Sequence, residues 1–356
     1  MVGLSGGVDS SVAAALLVEQ GFEVEALFMK NWEEDDDGDY CSAAADLADA
    51  RAVAERLGVR LHTVNFAHEY WERVFSHFLS EYRAGRTPNP DVLCNREIKF
   101  RAFLDHALAL GASVIATGHY ARSDCDAEGW HLRLGADPDK DQTYFLYLLD
   151  QDQLSHSLFP LGGLRKAQVR ELARRLGLAT AAKRDSTGIC FIGERRFRDF
   201  LARYLPREPG PIETPEGRIV GEHRGLPYYT IGQRHGLGVG GLRAGAEAPW
   251  FVARKDQARN ALIVVQGPNH PLLLAAEAHI GEVHWIARHP PPLPLACMAR
   301  VRHRQPLQPC LLLGYDPAGC RVRFEAPQRA LAPGQSLVLY RDNECLGGGV
   351  IEDAGT

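Results

Sequence analysis

The stretch SGGVDSSVAAALLV at residues 5–18 decides the fold of the amino-terminal half. Small residues open it, and an apolar helical pattern follows and ends before Gly21. Small residues let the backbone approach phosphate oxygens closely, and the amino end of a helix adds free N–H groups. The hydroxyls of Ser5, Ser10 and Ser11 can add further donors. The pattern predicts a phosphate-binding loop rather than an ordinary glycine-rich turn, and it lacks the GxxxxGK[ST] spacing of a Walker A loop.

Short apolar runs alternate with helical patterns around this loop. The predicted strands cover 24–29, 61–64 and 114–117, and the predicted helices cover 43–57, 69–84 and 98–110. Such alternation is typical of an α/β fold with a doubly wound, mostly parallel sheet, in which ligands bind beyond the carboxyl ends of the strands. The strand before the loop is limited to residues 1–4, so either it is very short or the natural start lies upstream.

The pattern changes after about residue 200, where proline and glycine become frequent and helical periodicity fades. Six short strands with tight turns between them predict a small β-barrel; they cover 279–285, 296–304, 310–315, 320–325, 336–340 and 345–351. We therefore expect three domains: an α/β nucleotide-binding and catalytic domain at 1–200, a central β-rich domain at 201–272, and a carboxy-terminal β-barrel at 273–356.

Composition restricts the class of protein. The 356 residues contain no apolar run long enough to span a bilayer and no secretory signal, so we expect a cytoplasmic protein without a membrane partner. Eight cysteines without CxxC spacing argue against a disulfide scaffold and a structural zinc site, and the histidines show no ligand spacing. The net charge is -5, but residues 165–208 hold 12 basic and 5 acidic side chains. This stretch is either a phosphate-binding face or a solvated helix surface.

Two further motifs, NPDVLCN at 89–95 and DSTGICFIGE at 185–194, each place a cysteine in a polar segment that we interpret as a turn. Loop cysteines can be exposed and reactive, and nearby cations favour the thiolate. Cys190 is flanked by four such cations, Lys183, Arg184, Arg195 and Arg196. Asp91 precedes Cys94 by three residues, close enough to act on a proton there. The alternative is that either cysteine is unreactive.

The loop motif resembles the signature of PP-loop ATP pyrophosphatases. Together with GRTPNPDVLCN at 85–95, ATGHY at 116–120, KDQ at 140–142, DSTGICFIGER at 185–195, TIGQRHGLG at 230–238 and LGGG at 346–349, the chain closely resembles the bacterial tRNA-specific 2-thiouridylases over essentially its whole length. The resemblance implies a sulfurtransferase that uses ATP, with Mg²⁺ expected, to adenylate C2 of the wobble uridine in the tRNAs for Lys, Glu and Gln. It places ATP at Gly3, Leu4, Ser5, Gly6, Gly7, Val8, Asp9, Ser10, Met29 and Gly118.

The same resemblance implies roles for the two cysteines. Cys190 would carry sulfur as a persulfide, supplied by a cysteine desulfurase or a sulfur-relay protein, and Cys94 would be the partner nucleophile. Either free sulfide or direct persulfide transfer leaves a Cys94–Cys190 disulfide, which needs the two alpha carbons within about 7 Å in some state. Asp91 would be the general acid or base. The implied tRNA contacts are Asn89, Pro90, Asp91, His119, Lys140, Asp141, Gln142, Arg302, His303 and Gln335.

Other interpretations remain open from the residues alone. The acidic run at 33–39 is a solvated loop, a cation site or a docking point for a basic sulfur donor. An amidating PP-loop ligase acting on a small metabolite would need neither cysteine and no basic face. An RNA-binding module with a vestigial loop would not release AMP from ATP. The remaining cysteines are interpreted as structural.

Overall fold

The computed structural model describes residues 1–33, 42–185, 200–239, 248–316 and 318–355. These residues form a parallel sheet with helices, a smaller mixed sheet and a closed antiparallel barrel. Cys190, Cys41 and most of the acidic run at 33–39 lie outside the described residues. Over the part that is described, no helix is long and apolar enough to cross a bilayer.

The strands of the described residues are, in chain order, β1 (Val2–Gly3), β2 (Glu25–Lys30), β3 (Arg60–Asn65), β4 (Ile115–Ala116), β5 (Ala121–Asp126), β6 (Gly129–Leu134), β7 (Ser157–Leu158), β8 (Gly210–Glu213), β9 (Ile219–His223), β10 (Trp250–Asp256), β11 (Ala261–Gln266), β12 (Leu274–Trp285), β13 (Leu295–Arg300), β14 (Gln308–Asp316), β15 (Gly319–Arg329), β16 (Ser336–Arg341) and β17 (Glu344–Gly355). The α-helices are Val8–Glu19, Ser42–Leu57, Ala67–Tyr70, Ser76–Arg83, Pro90–Leu93, Phe103–Ala109, Gln151–Ser155 and Lys166–Arg175, and the π-helical segments are Trp71–Phe75 and Cys94–Ala102.

The amino-terminal sheet has the order β3-β2-β1-β4-β7, and all of its strands run parallel. Alternate residues of β2 enter cores on opposite faces: Leu27 packs with the helices at 67–109, whereas Ala26 and Phe28 pack with the helix Val8–Glu19. Strand side chains alternate between faces, so a sheet with two cores is covered by helices on both sides. The predicted doubly wound, parallel sheet is confirmed.

Two all-strand units follow. The smaller sheet has the order β10-β11-β8-β9, with β11 and β8 parallel. The strands β12-β15-β14-β13-β16-β17 form the barrel, which closes because β12 also pairs with β17. The predicted six-stranded barrel is confirmed.

A hairpin of the amino-terminal half extends the barrel sheet, and the sequence analysis does not contain it. Strands β5 and β6 form the hairpin, and Leu132 of β6 pairs with Cys345 of β17. Most of β5 is exposed and polar, so the apolar alternation that marks a strand is weak there. The hairpin attaches the barrel to the domain that carries the phosphate-binding loop.

The helix predicted at 98–110 begins earlier, at Pro90, and this corrects the expected position of Cys94. Asn89 caps its amino end by accepting a hydrogen bond from the Asp91 amide, and Pro90 occupies the first turn, where a missing N–H has no cost. The chain then continues through the π-helical segment Cys94–Ala102. Cys94 therefore lies on a helix and is only 1% exposed, rather than in an exposed turn.

Candidate active site

The phosphate-binding loop lies between β1 and the helix Val8–Glu19. Gly6 adopts a φ of +74°, and a Cβ there would lie 2.2 Å from the Asp46 carbonyl oxygen, so only glycine fits. Among the described residues no side chain caps the helix at Gly7. The first N–H groups of the helix therefore remain available to an anion.

The serine hydroxyls brace the loop from inside. Ser10 and Ser11 both donate to the Gly7 carbonyl, at 3.1 and 2.7 Å, and the Ser5 amide donates to Ser10 Oγ at 3.2 Å. Ser11 is buried, whereas Ser5 is exposed. In this structure Ser10 and Ser11 donate to the loop itself, and a role of the three hydroxyls as phosphate donors stays a prediction.

The residues predicted to bind ATP come together around this loop. A Cβ on Gly118 would lie 2.8 Å from the backbone of Asp9 and Ser10, so β4 ends directly against the start of the helix. A Cβ on Gly3 would lie 3.5 Å from the Met29 methyl carbon, which places β1 and β2 side by side at the same edge. Leu4 and Val8, in contrast, are buried core residues.

A second feature is an open pocket of about 260 Å³. Six of the ten residues predicted to contact tRNA line it together with Pro88, Tyr144 and Phe145; they are Asn89, Pro90, Asp91, Arg302, His303 and Gln335. They come from segments that are far apart in sequence. The structure thus assembles one pocket from the amino-terminal domain and the barrel.

Hydrogen bonds fix the pocket walls. Gln335 donates to the Thr87 carbonyl at 2.6 Å, and Arg302 donates to the Ala330 carbonyl at 2.6 Å. Tyr144 donates its hydroxyl to the Ser336 carbonyl at 3.0 Å. The bonds of Gln335 and Tyr144 join the amino-terminal half to the barrel, so the shape of the pocket depends on the docking of the two parts.

His303 gives the pocket a neutral polar group. Its ring lies 4.5 Å from the Phe145 ring, centroid to centroid. Burial, aided by nearby Arg304, lowers the pKa of His303 to about 4, so the imidazole is neutral at pH 7. Within the described residues its Nδ1 has no hydrogen-bond partner. The nitrogen is itself buried, so the pocket as it stands does not present this atom to a ligand.

The other four predicted tRNA contacts do not line this pocket. His119 is 8% exposed and hydrogen-bonds Thr117 at 2.9 Å, and burial lowers the pKa of its imidazole well below the usual value. Asp141 is 3% exposed and pairs with Arg300. Gln142 accepts a hydrogen bond from the Tyr120 amide at 2.9 Å. His119 and Asp141 are buried and Gln142 is half-buried, and a contact of these three residues with tRNA stays a prediction.

Lys140, the last of the four, binds Asp185 at 2.6 Å. Asp185 also pairs with Lys166 and Arg170, and Lys166 in turn pairs with Asp9 of the phosphate-binding loop. Burial acts to raise the pKa of Asp185, but hydrogen bonds from Lys140 and Lys166 hold it down, at about 2. Asp185 is the last residue described before the segment that contains Cys190.

Cys94 lies beside the pocket rather than in its lining. It begins the π-helical segment three residues after Asp91, and π-helical turns often occur at functional sites. The next residue, Asn95, donates to the carbonyl of Phe145, a pocket residue, at 3.1 Å. Cys190 lies outside the described residues, so its expected proximity to Cys94 stays a prediction.

Several residues at these sites are not predicted from the sequence. Tyr144 and Phe145 follow the KDQ motif after one intervening residue, and this nearness to the motif is the local signal that could have indicated them. Tyr120 ends the ATGHY motif and Lys166 lies in the basic stretch at 165–208, but neither pattern indicates their contact with Asp9, which depends on the tertiary fold.

Comparison with known proteins assigns the class of these parts. Residues 1–194 match the family described as "tRNA methyl transferase HUP domain". Residues 198–266 match "tRNA methyl transferase PRC-barrel domain", and residues 276–351 match "Aminomethyltransferase beta-barrel domain". The fold and the loop thus define a tRNA-modifying class of protein with a nucleotide-binding α/β domain and two β-rich units.

Full-length relatives narrow this class. The "tRNA-specific 2-thiouridylase MnmA" of Proteus mirabilis (strain HI4320) is 58% identical over 99% of this chain and 96% of its own length. The protein of the same name from Methylococcus capsulatus (strain ATCC 33009 / NCIMB 11132 / Bath) is 61% identical over 99% of this chain and 95% of its own length. The chain belongs to the MnmA family of tRNA-specific 2-thiouridylases.

Proposed function

We propose that this protein is an ATP-dependent tRNA-uridine 2-sulfurtransferase. It adenylates the C2 carbonyl oxygen of the wobble uridine in the tRNAs for Lys, Glu and Gln, then replaces that oxygen with sulfur. The main support is the convergence of Asn89-Pro90-Asp91, Arg302-His303 and Gln335 on one pocket beside Cys94. Relatives at 58% and 61% identity over nearly the whole chain carry the same family name.

The phosphate-binding loop suits the first step. The uridine O2 attacks the α-phosphorus of ATP, the bond to the β-phosphoryl oxygen breaks, and pyrophosphate leaves with the electron pair. The uncapped helix start at Gly7 and the tight turn at Gly6 offer backbone N–H groups to the phosphates. Mg²⁺, which is expected to accompany ATP, would neutralise charge on the phosphates.

The open pocket suits the target base. A base must leave its stack before chemistry can occur on it, and unpaired anticodon-loop bases can be recognised on their edges and faces. Phe145 and Tyr144 offer aromatic surface, and the neutral imidazole of His303 and the amides of Asn89 and Gln335 offer hydrogen-bonding groups. Asp91 lines the pocket wall, and its proposed role is that of general acid or base.

The sulfur step uses the two cysteines. A donor protein, either a cysteine desulfurase or a sulfur-relay protein, first loads Cys190 as a persulfide. In one route the Cys94 thiolate attacks the inner sulfur and releases sulfide, which displaces AMP from C2. In the other route the terminal sulfur attacks C2, AMP leaves, and Cys94 then displaces the thiouridine. Both routes oxidise the two thiols to one disulfide, so a two-electron reductant must restore them before the next turnover.

Contacts to the tRNA backbone need cations. The stretch at 165–208 carries a net excess of basic side chains, and phosphate contacts supply much of the affinity of proteins for nucleic acids. Lys140 remains a proposed tRNA contact, in competition with its pairing to Asp185. Because the pairing is partly exposed to solvent, an arriving phosphate can replace the carboxylate.

Mass spectrometry of tRNA nucleosides tests the proposal. Unmodified glutamate tRNA is incubated with the protein, ATP, Mg²⁺, a sulfur donor and a reductant, and AMP and pyrophosphate are assayed in the same samples. We expect 2-thiouridine from the wild type, and none from Cys94→Ser or Cys190→Ser, because each removes one of the two sulfur atoms that the mechanism requires.

Cys125→Ser is the matched control, since Cys125 is an exposed free thiol on the β5–β6 hairpin. It should thiolate tRNA at the wild-type rate. Full activity of Cys94→Ser or Cys190→Ser would remove that cysteine from the mechanism. Absence of thiouridine in all samples, with the donor shown to be active on another acceptor, would contradict the proposed function.

A further inference from the structure

The phosphate-binding loop carries no cation of its own. Residues 5–11 contain no lysine or arginine, and their one charged side chain is the carboxylate of Asp9. In a Walker A loop a lysine contacts the β- and γ-phosphates. A loop that must stabilise a departing pyrophosphate without such a lysine needs a cation from elsewhere in the chain.

Lys166 supplies a cation next to the phosphate-binding loop. Its Nζ lies 2.8 Å from both carboxylate oxygens of Asp9 and 2.8 Å from Asp185 Oδ1. The Lys166 side chain is 12% exposed, so it is partly withdrawn from water yet still reachable by a ligand. Electrostatic contacts are stronger where water is largely excluded.

The fold fixes Lys166 at the start of the phosphate-binding helix. Lys166 is the first residue of the helix Lys166–Arg175, which packs through Val169 and Ala173 into the same core as the helix Val8–Glu19. Its backbone N–H donates to Asp137 Oδ2 at 2.8 Å. The Tyr120 hydroxyl donates to Asp9 Oδ1 at 2.8 Å from another direction, so the position of the Asp9 carboxylate is also fixed.

Lys183 also contacts the loop but is held in another way. Its Nζ donates to the Gly6 carbonyl at 3.0 Å and to Asp46 at 2.7 Å, and it pairs with Asp49 as well. Asp46 and Asp49 belong to the helix Ser42–Leu57. Lys183 therefore ties the loop to that helix, whereas Lys166 contacts the carboxylate in the first turn of the phosphate-binding helix.

We infer that Lys166 is a phosphate-binding residue of the adenylation step, and that Asp185 is the counter-ion it exchanges for phosphate. The inference rests on the proposed use of ATP. As the bond between the α-phosphorus and the bridging oxygen breaks, negative charge grows on the departing pyrophosphate. The N–H groups of Lys166 donate to that charge without losing a proton, and Asp185 keeps its pairing with Lys140 and Arg170 when Lys166 turns to phosphate.

A purely structural role predicts something different. If Lys166 served only to join Asp9 to Asp185, loss of the charge of Lys166 and loss of the charge of Asp185 would both disturb the loop. Both changes would then lower the affinity for pyrophosphate. If Lys166 binds phosphate, Asp185 competes with that phosphate for the same ammonium group. Removing the charge of Asp185 should then leave phosphate binding intact or strengthen it.

Isothermal titration with inorganic pyrophosphate and with a non-hydrolysable ATP analogue separates these roles, and it needs no turnover. Lys166→Met should weaken pyrophosphate binding about tenfold or more, as expected for loss of a charge-assisted hydrogen bond. Lys166→Arg should restore part of the affinity. Asp185→Asn should bind pyrophosphate at least as tightly as the wild type.

Arg174→Met is the matched control, because it removes one positive charge from the same helix at an exposed position, where Arg174 pairs with Glu171 of its own helix. Its pyrophosphate affinity should equal that of the wild type. Wild-type affinity in Lys166→Met, or parallel losses in Lys166→Met and Asp185→Asn, would overturn the inference. Thiouridine formation by the wild type is measured separately, so a failure of the proposed function is distinguishable from a failure of this assignment.

Discussion

The phosphate-binding loop and the open pocket are built in opposite ways. The loop is one contiguous segment, Ser5–Ser11, braced by its own serines, and the side chains that reach it from elsewhere, Tyr120, Lys166 and Lys183, all belong to the amino-terminal half. The pocket takes its walls from residues 88–91, 144–145, 302–303 and 335, and hydrogen bonds between the amino-terminal domain and the barrel hold it together. A local change should therefore damage the loop alone, whereas the pocket should be sensitive to how the two parts dock.

The largest effect is expected from Gly6→Ala. Gly6 needs a positive φ, and its added Cβ would overlap the Asp46 carbonyl oxygen at 2.2 Å. Strain of this kind costs about 2 kcal/mol or more, which corresponds to roughly thirtyfold in affinity if the loop distorts to relieve it. Titration with a non-hydrolysable ATP analogue measures the loss, and tRNA binding without nucleotide should stay close to that of the wild type.

Gly163→Ala is the control, because a Cβ there meets nothing within 4 Å. It should bind the analogue normally. If Gly6→Ala bound it equally well, the loop would not be the nucleotide site.

A smaller effect is expected from Gly334→Ala, and it should fall on the affinity for tRNA rather than on the affinity for the nucleotide. Gly334 has a φ of +91°, and its added Cβ would lie 2.8 Å from the Thr87 amide nitrogen, where the barrel meets the segment before Asn89. The neighbouring bonds, from Thr87 N–H to the Pro333 carbonyl and from Gln335 to the Thr87 carbonyl, would be strained. We expect tRNA affinity to fall about tenfold, for a strain cost near 1.4 kcal/mol, while affinity for the ATP analogue is unchanged.

Gly314→Ala tests the specificity of that result. Gly314 lies in the same barrel, and a Cβ there meets nothing within 4 Å. Filter binding of tRNA to both variants, with circular dichroism as a check on folding, makes the comparison. Equal losses in both variants, or a parallel loss of nucleotide affinity in Gly334→Ala, would contradict the idea that the two sites are built independently.

The same contrast explains what the sequence could predict. The loop, the parallel sheet and the barrel follow from local periodicity and turn residues, and all three are confirmed. The hairpin β5–β6 was missed because β5 is polar and exposed. The prediction of a turn around Cys94 is wrong, because Asn89 and Pro90, which favour loops in many contexts, here begin a helix.

Long-range contacts account for the rest. The pairing of Lys166 with Asp9 joins residues 157 positions apart, and no periodicity reports a contact over that separation. The grouping of Asn89 with Arg302 and Gln335 was expected only from resemblance, not from spacing. The domain limits at 200 and 272 and the role of Cys190 stay predictions.

The smallest expected effect is the pH dependence that His303 contributes. Its pKa is about 4 in the folded protein and about 6.5 in the unfolded chain, so the unfolded state binds the proton first as pH falls. The free energy of unfolding should therefore decrease between about pH 6.5 and pH 4, and this contribution should be constant above pH 7. Urea denaturation of the wild type and His303→Asn at several pH values measures the difference.

The slope of the free energy of unfolding against pH in this window should be smaller in His303→Asn, by an amount that corresponds to at most one bound proton. It should not vanish, because His119 and His284 also have lowered pKa values and continue to contribute. Tyr144→Phe is a suitable comparison, since it perturbs the same pocket through the bond to Ser336 without removing a group that titrates near neutral pH. Its slope should match the wild type. An NMR titration that placed the pKa of His303 near 6.5 would mean that the ring is solvated, and the pocket would then offer tRNA a partly cationic imidazole instead of a neutral one.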